Sequence, residues 1–359
     1  MRIALVGPAF PYKGGGAHHT TELAHRLAAA GHQVVLESWK AQYPSFLYPG
    51  RQTIAEPEGE PFPATRRELS WRRPDGWVRL GRRLRQYDLV ILAVLSPVQV
   101  PAYLGILTTL KGPRVVALCH NVLPHERSFY DAPLMRALLR RVDGVLVHSG
   151  EQAALAGTLT HRPVTVAEMP AHLPVTGTAT ESSEIYRRIH RRLLFFGIVR
   201  PYKGLDVLLR ALPEGVRLTV AGEFWAGLEE TRRLITELGL GDRVRLLPGY
   251  VPAAKVGELF AEADALVLPY RSATASQNVW MAFEHGIPVV ATRVGGFPAQ
   301  VTDGVDGLLC EPGDVASLAA ALTELYTGDR AVRLRAGVKR PDHGPVWTAY
   351  LDALTGFAA

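Results

Sequence analysis

Short, uniformly apolar runs alternate along this chain with longer stretches of helical periodicity. Ile3-Ala4-Leu5-Val6 is apolar throughout and predicts a buried strand. A Gly-rich loop from Pro8 to Gly16 follows. Ala17 to Ala30 then repeats Leu23, Ala24, Leu27 and Ala28 at helical spacing, with Gly31 as its stop. Val34 to Glu37, Leu89 to Leu95, Val115 to Cys119 and Gly144 to His148 repeat the strand signal. The alternation restarts at Leu193 to Phe196, passes Gly204 into an amphipathic run (Leu205, Leu208, Leu209, Leu212), and continues through strands at Arg217 to Ala221, Val244 to Leu246, Ala265 to Leu268, Ile287 to Ala291 and Gly307 to Leu309. Apolar strands joined by helices predict parallel sheets covered on both faces. The expected fold class is therefore α/β, with two Rossmann-like doubly wound domains facing each other across a cleft. The boundaries expected are 1–165 for the first domain, 166–190 for a linker and 191–340 for the second domain, with a terminal helix in 341–359 packing back toward the first. Ala41 to Pro74 is Pro-rich and reads as an irregular surface excursion.

At 359 residues the chain exceeds what one core usually organises, which agrees with two domains. Cys119 and Cys310 are its only cysteines, so no disulfide framework is expected and a reducing cytoplasm fits. The apolar stretch at the N-terminus is too short for a secretory signal. Leu89 to Leu110 carries no formal charge over 22 residues, but Ser96, Pro97, Gln99, Pro101 and Gly105 favour a buried strand and helix over a membrane span. Net charge is +6, and the segment Arg66–Arg85 alone holds eight arginines against Glu68 and Asp75. Trp77, Leu80, Leu84 and Tyr87 share one helical face there. Two readings stand: a helix on an anionic membrane, at the inner face of a cytoplasmic membrane, or a solvated helix packing its apolar stripe on the sheet. No recognition motif accompanies the charge, so nucleic acid is not an expected partner.

Chemistry concentrates where strands end, because open α/β sheets bind ligands beyond the carboxyl ends of their strands. Pro11-Tyr12-Lys13-Gly14-Gly15-Gly16 leaves the first strand and opens a helix, as an anion site or as a plain tight turn. Arg200-Pro201-Tyr202-Lys203-Gly204 holds the same place in the second half, beside another expected helix N-terminus, and offers two cations to a diphosphate. His120-Asn121 ends a strand, and His18 and His19 begin a helix. Between Pro269 and Pro312 a strand, a polar turn (Ser272 to Asn278), a helix from Gln277 to His285 ending at Gly286, and a further strand form a parallel crossover around Glu284. There is no H-E-x-x-H, no Cys/His ligand cluster, no G-x-S-x-G and no convincing pair of flanking carboxylates, so neither a metal nor a hydrolase centre is indicated.

Arg200 to Gly204, the unit around Glu284 and the tail Gly295-Gly296…Val301-Thr302-Asp303-Gly304…Gly307…Pro312-Gly313-Asp314 resemble, in this order and spacing, a family 4 retaining glycosyltransferase of the GT-B fold. The resemblance covers nearly the whole chain. It implies transfer of a sugar from a UDP- or GDP-linked donor to a hydroxyl acceptor (lipid-linked, saccharide or small molecule) with no metal or other cofactor. It also implies that the second domain holds the donor and the first the acceptor. On this resemblance Glu284 binds the ribose hydroxyls, Arg200 and Lys203 the diphosphate, Gly15 and Gly16 the distal phosphate, and His120 the transferred sugar. Gly222, Glu223 and the following Phe224 and Trp225, with Tyr250 and Val251, line the base; Ser276, Gln277 and Asn278 complete the donor site, and Tyr12, His18 and His19 face the acceptor. His120, Arg200 and Lys203 are then the catalytic groups. Two positions depart from the family pattern: Ser276 stands where the first Glu of Glu-x7-Glu belongs, and Ile198 stands where the clamp arginine usually lies. These departures leave open an epimerase of the same architecture and a weakened nucleotide-sugar-binding protein.

Overall fold

The computed structural model describes residues 1–44, 52–173, 188–274 and 276–358. The chain divides into two compact units, Met1–Leu173 together with Asp342–Ala359, and Pro174–Pro341. The polar run Thr176 to Ser183, expected to be linker, lies outside the described residues.

The first unit is built on seven parallel strands: β1 (Arg2–Val6), β2 (Gln33–Ala41), β3 (Thr65–Ser70), β4 (Leu89–Val94), β5 (Arg114–Cys119), β6 (Gly144–Val147) and β7 (Val164–Val166). Their order is β3-β2-β1-β4-β5-β6-β7, so the winding reverses between β1 and β4. The pleat sorts each strand between two cores. Ala4, Val6, Leu92 and Ala117 face helices Pro74–Arg83, Val100–Leu107 and Asp131–Leu139. Ile3, Leu5, Ile91 and Leu118 face the helix Gly15–Ala29, together with Trp347, Tyr350 and Leu354 of the helix His343–Thr355.

Two strands correct the sequence reading. β3 lies inside the stretch expected to be irregular, and β7 lies where the linker was expected to begin. Both are sheet edges. An edge strand need not be apolar, and β3 exposes Arg66, Arg67 and Glu68 while burying only Leu69 and Ser70.

The arginine-rich segment turns its apolar stripe inward. Leu80 and Leu84 are core residues with Trp77 and Tyr87 packed against them, and the Trp77 indole N–H donates to the Ser70 carbonyl at 2.8 Å. Part of the charge is paired: Arg73 and Arg79 hold Asp75, and Arg83 bridges Glu68 and Glu37, each at 2.7 Å, while Arg72 and Arg82 are exposed. Glu37 is only 1% exposed, and burial raises its pKa despite Arg83 and Arg66. Removing one partner of a buried pair leaves an uncompensated charge. Arg83→Ala should therefore cost about 3 kcal/mol, whereas Arg82→Ala, at an exposed site, should stay within about 0.5 kcal/mol. Urea midpoints of the two variants check this. The uncharged stretch from Leu89 resolves into β4, a 3-10 turn Pro97–Gln99 and the helix Val100–Leu107. Among the described residues no helix is long and apolar enough to cross a membrane.

The second unit carries six parallel strands: β8 (Arg192–Phe196), β9 (Arg217–Gly222), β10 (Val244–Pro248), β11 (Ala265–Leu268), β12 (Val289–Thr292) and β13 (Gly307–Cys310), in the order β10-β9-β8-β11-β12-β13. Its winding reverses between β8 and β11. Asp264, 1% exposed, ties the entry to β8 by accepting the backbone N–H groups of His190 and Arg192, and it pairs with Arg335 at 3.3 Å.

Candidate functional site

In the second unit the ladder between β8 and β9 continues past the strands. Gly197 N–H donates to Ala221 O at 2.9 Å, Val199 N–H to Glu223 O at 2.7 Å, and Trp225 N–H to Val199 O at 3.2 Å. Gly222 permits this closeness, since a Cβ there would stand 1.9 Å from the Gly197 carbonyl oxygen. The loop after β8 is thereby held rigidly as it leaves the sheet at the reversal of strand order.

That loop delivers both expected cations. The Arg200 guanidinium lies 4.8 Å from the Trp225 ring centroid, and the Lys203 Nζ lies 5.1 Å from that of Tyr270. Burial pulls the Lys203 amine below its ordinary pKa, and the positive charge of Arg200 adds to the effect. Pro201–Lys203 form a single 3-10 turn, closed by Gly204 at φ 67°. The helix beyond it, Leu205–Ala211, has only seven residues, so the two cations themselves, rather than a long helix dipole, supply the positive potential expected here. A Cβ on Gly204 would lie 2.0 Å from the Pro269 carbonyl oxygen. Gly204→Ala combines that clash with a left-handed backbone and should cost about 3 kcal/mol, read as a lowered melting temperature of the second unit.

The loop after β11 contributes Ser276, Gln277 and Asn278. The Ser276 hydroxyl caps the helix Gln277–Glu284, accepting Asn278 N–H at 3.3 Å, while Ser276 N–H donates to the Gln300 side chain at 3.2 Å. Ser276 thus has a local structural role. The Asn278 side chain donates to the Phe196 carbonyl at 2.8 Å, and its Nδ2 would be 3.3 Å from a Cβ on Gly197, where Lys203 Nζ would be at 3.7 Å. Asn278 and Lys203 therefore converge on one point. Glu284 is half-buried at the far end of the same helix, roughly 10 Å along its axis from Gln277, and Gly286 at φ 68° follows as the expected stop. Tyr250 and Val251 follow β10, where Gly249 N–H donates to Gly222 O at 3.0 Å, so Glu223, Tyr250 and Val251 share the carboxyl end of neighbouring strands.

In the first unit Gly14, at φ 87°, leads from β1 into the helix Gly15–Ala29. Gly15 is exposed, and a Cβ on Gly16 would stand 2.5 Å from Leu95 Cδ2. His18 lies at 3.2 Å from a Glu58 carboxylate oxygen. Two residues expected to face an acceptor are enclosed instead. Tyr12 is 8% exposed, with its hydroxyl accepting Gln42 N–H at 3.1 Å. His19 is 0% exposed, because the helical repeat that brings Leu23 and Leu27 to the core brings His19 with them.

His19 is the centre of a cluster of four imidazoles. Its ring centroid lies 4.8 Å from those of His120 and His172 and 6.3 Å from that of His148, with Trp347 and Tyr350 closing the other sides at 6.1 and 5.5 Å. Hydrogen bonding fixes two tautomers: His148 Nδ1–H donates to Ala167 O at 3.2 Å and His172 Nδ1–H to Pro170 O at 2.9 Å. Both His19 nitrogens and the Nε2 atoms of His120 and His148 are buried without a hydrogen-bond partner. Burial pushes His148 and His172 down to about 4, and holds His19 and His120 well below the ordinary histidine value. The cluster is therefore neutral near pH 7. Among the described residues no group of three or more His, Cys, Asp or Glu side chains is arranged to hold a metal ion. Sequence reasoning did not pick out His148 or His172. The available signal was positional, since His148 follows β6 as His120 follows β5.

Residues 13–167 match the profile of Glycosyltransferase Family 4, and residues 190–328 match that of Glycosyl transferases group 1. D-inositol 3-phosphate glycosyltransferase 1 of Catenulispora acidiphila is 34% identical over 177 residues, which are 45% of this chain and 42% of that protein. The Mycolicibacterium smegmatis D-inositol 3-phosphate glycosyltransferase is 34% identical over 166 residues, 45% of this chain and 38% of that protein. The chain thus spans about two fifths of the length of these curated relatives. Sucrose-phosphate synthase from Thermosynechococcus elongatus superposes with a TM-score of 0.73 at 19% identity, covering 99% of this chain and 96% of that one. HepE of Anabaena in complex with UDP-glucose gives 0.73 at 17% identity, covering 100% and 98%. With one profile on each unit and both sheets wound alike, the chain belongs to the family 4, group 1 glycosyltransferases and has the GT-B fold.

Proposed function

We propose that this protein transfers a sugar, with retention of configuration and without a metal, from a nucleoside diphosphate sugar to a hydroxyl acceptor. The observation that carries this reading is the pair Arg200 and Lys203, delivered by one glycine-closed turn to the carboxyl end of β8 at the reversal of strand order. Two neighbouring cations suit a diphosphate whose negative charge grows as the glycosidic bond breaks. The acceptor hydroxyl attacks the anomeric carbon from the face that the diphosphate leaves, and a phosphate oxygen takes its proton. Asn278, Gln277 and the loop 222–225 complete the donor site, Glu284 takes the ribose, and neutral His120 exchanges a hydrogen bond with the transferred sugar. The likeness to HepE, whose structures hold UDP and UDP-glucose, supports a uridine donor. The inositol phosphate glycosyltransferases support a phosphorylated or polyol acceptor.

Thermal-shift titration with UDP-, GDP- and dTDP-sugars, followed by NMR of the product's anomeric proton with and without EDTA, tests each part separately. Stabilisation by one donor, retained stereochemistry and insensitivity to EDTA are expected; an inverted product or loss of turnover with EDTA overturns the corresponding claim. The Ser276 hydroxyl, engaged as a helix cap, favours a second reading in which the protein binds a donor but turns it over slowly. Donor stabilisation without turnover selects that reading. Conversion of the donor sugar in the absence of acceptor selects an epimerase. Any attraction to an anionic membrane would rest on exposed arginines such as Arg72 and Arg82 as charges, since the apolar face of the helix Pro74–Arg83 is in the core.

A further inference from the structure

In the pattern that the sequence resembles, the clamp arginine falls at position 198, where this chain has Ile198, and the guanidinium arrives two residues later on Arg200. A shifted arginine on a long side chain would reach the same anion only with a large loss of rotamer freedom, unless something already holds it. The structure supplies a holder. The β8–β9 ladder extends through the bridge Val199–Phe224, with Val199 N–H on Glu223 O and Trp225 N–H on Val199 O. That register puts Arg200 and Trp225 side by side at the end of the ladder, with the guanidinium 4.8 Å from the centre of the indole. The second cation is seated in the same way, Lys203 on the ring of Tyr270.

We propose that Trp225 is a positioning residue: its indole face is the shelf that holds the Arg200 guanidinium where the leaving diphosphate develops charge, making good the missing arginine at position 198. This rests on the function proposed above. It differs from a role for Trp225 in lining the base, because the ring would then govern donor affinity and base selectivity and would not couple to Arg200.

The test is a double-mutant cycle on the full chain with Trp225→Ala, Trp225→Phe, Arg200→Ala and the double alanine variant. UDP binding is read by calorimetry and turnover by release of UDP from UDP-glucose; GDP and GDP-glucose replace them if the thermal screen selects guanosine. Arg200→Ala should lower turnover about a hundredfold. Trp225→Ala should lower it roughly tenfold and weaken UDP binding to a smaller extent, without changing the preference for UDP over GDP. Trp225→Phe should restore most of the loss, and the double variant should be no worse than Arg200→Ala. Additive losses, or a Trp225→Ala variant whose defect lies in KM and in discrimination between UDP and GDP, overturn the shelf while leaving the clamp intact. An Arg200→Ala variant with normal binding and turnover overturns both the shelf and the role given to Arg200 in the proposed function. Melting curves that drop equally for Trp225→Ala and Trp225→Phe assign the ring a packing role only.

Discussion

Acidification from pH 7.5 to 5 should unfold the N-terminal unit before the C-terminal one. Each histidine of the cluster has a folded-state pKa below the unfolded value, so the unfolded chain binds more protons and stability rises with pH. The contribution is fully present above about pH 6.5 and is lost as the pH falls toward about 4. For His148 and His172, at about 4, the difference from the unfolded value amounts to about 3 kcal/mol each. Two such terms are comparable with the whole stability of an ordinary domain.

Backbone carbonyls on His148 and His172 offset the burial only in part. The helix Gly15–Ala29 presents His18, paired with Glu58, and Arg26, which lies 5.3 Å from the Trp347 ring centroid; Trp347 and Tyr350 add only neutral rings. Urea unfolding at pH 7.5, 6.5 and 5.5 should show midpoints falling steeply. Hydrogen exchange should open the helices Gly15–Ala29 and His343–Thr355 before β11 and β12. Replacing His19 with phenylalanine, which keeps a ring in the site, should flatten the dependence. A midpoint that does not move between pH 7.5 and 5.5 would sink the assignment of neutral imidazoles.

Removing the half-buried cation of the proposed donor site is the second large effect. Lys203→Ala should lower kcat/KM by about a hundredfold to a thousandfold, the range associated with one preorganised donor to developing charge, and should weaken UDP binding by calorimetry. Lys203→Arg should recover little. The half-buried amine sits against Tyr270 in a turn closed by Gly204, and a planar guanidinium does not reproduce the compact charge held there. Lys255→Ala, at an exposed position on another helix, serves as the control and should leave both readings unchanged. Equal activity of Lys203→Ala and Lys255→Ala would remove Lys203 from the mechanism.

The sequence by itself determined the two parallel sheets and the turns that feed them. Runs such as Leu89 to Val94 can be satisfied only between two covering layers, and Gly204 and Gly286 mark backbone that other residues adopt at a cost. It also put Arg200, Lys203 and His120 just beyond the carboxyl ends of strands, where the structure has them after β8 and β5. Tertiary structure alone decided the edges and the enclosures. β3 carries no apolar run because an edge strand needs only one partner, and β7, Val164-Thr165-Val166, is too short to stand out from the segment around it. His19 and Tyr12 are buried because their neighbours close over them, and His148 and His172 become a cluster with His19 and His120 only when β5, β6 and the segment after β7 lie side by side. The seat of Arg200 on Trp225 joins two loops that are separate in sequence, and hydrogen-bond register, which no local pattern encodes, brings them together.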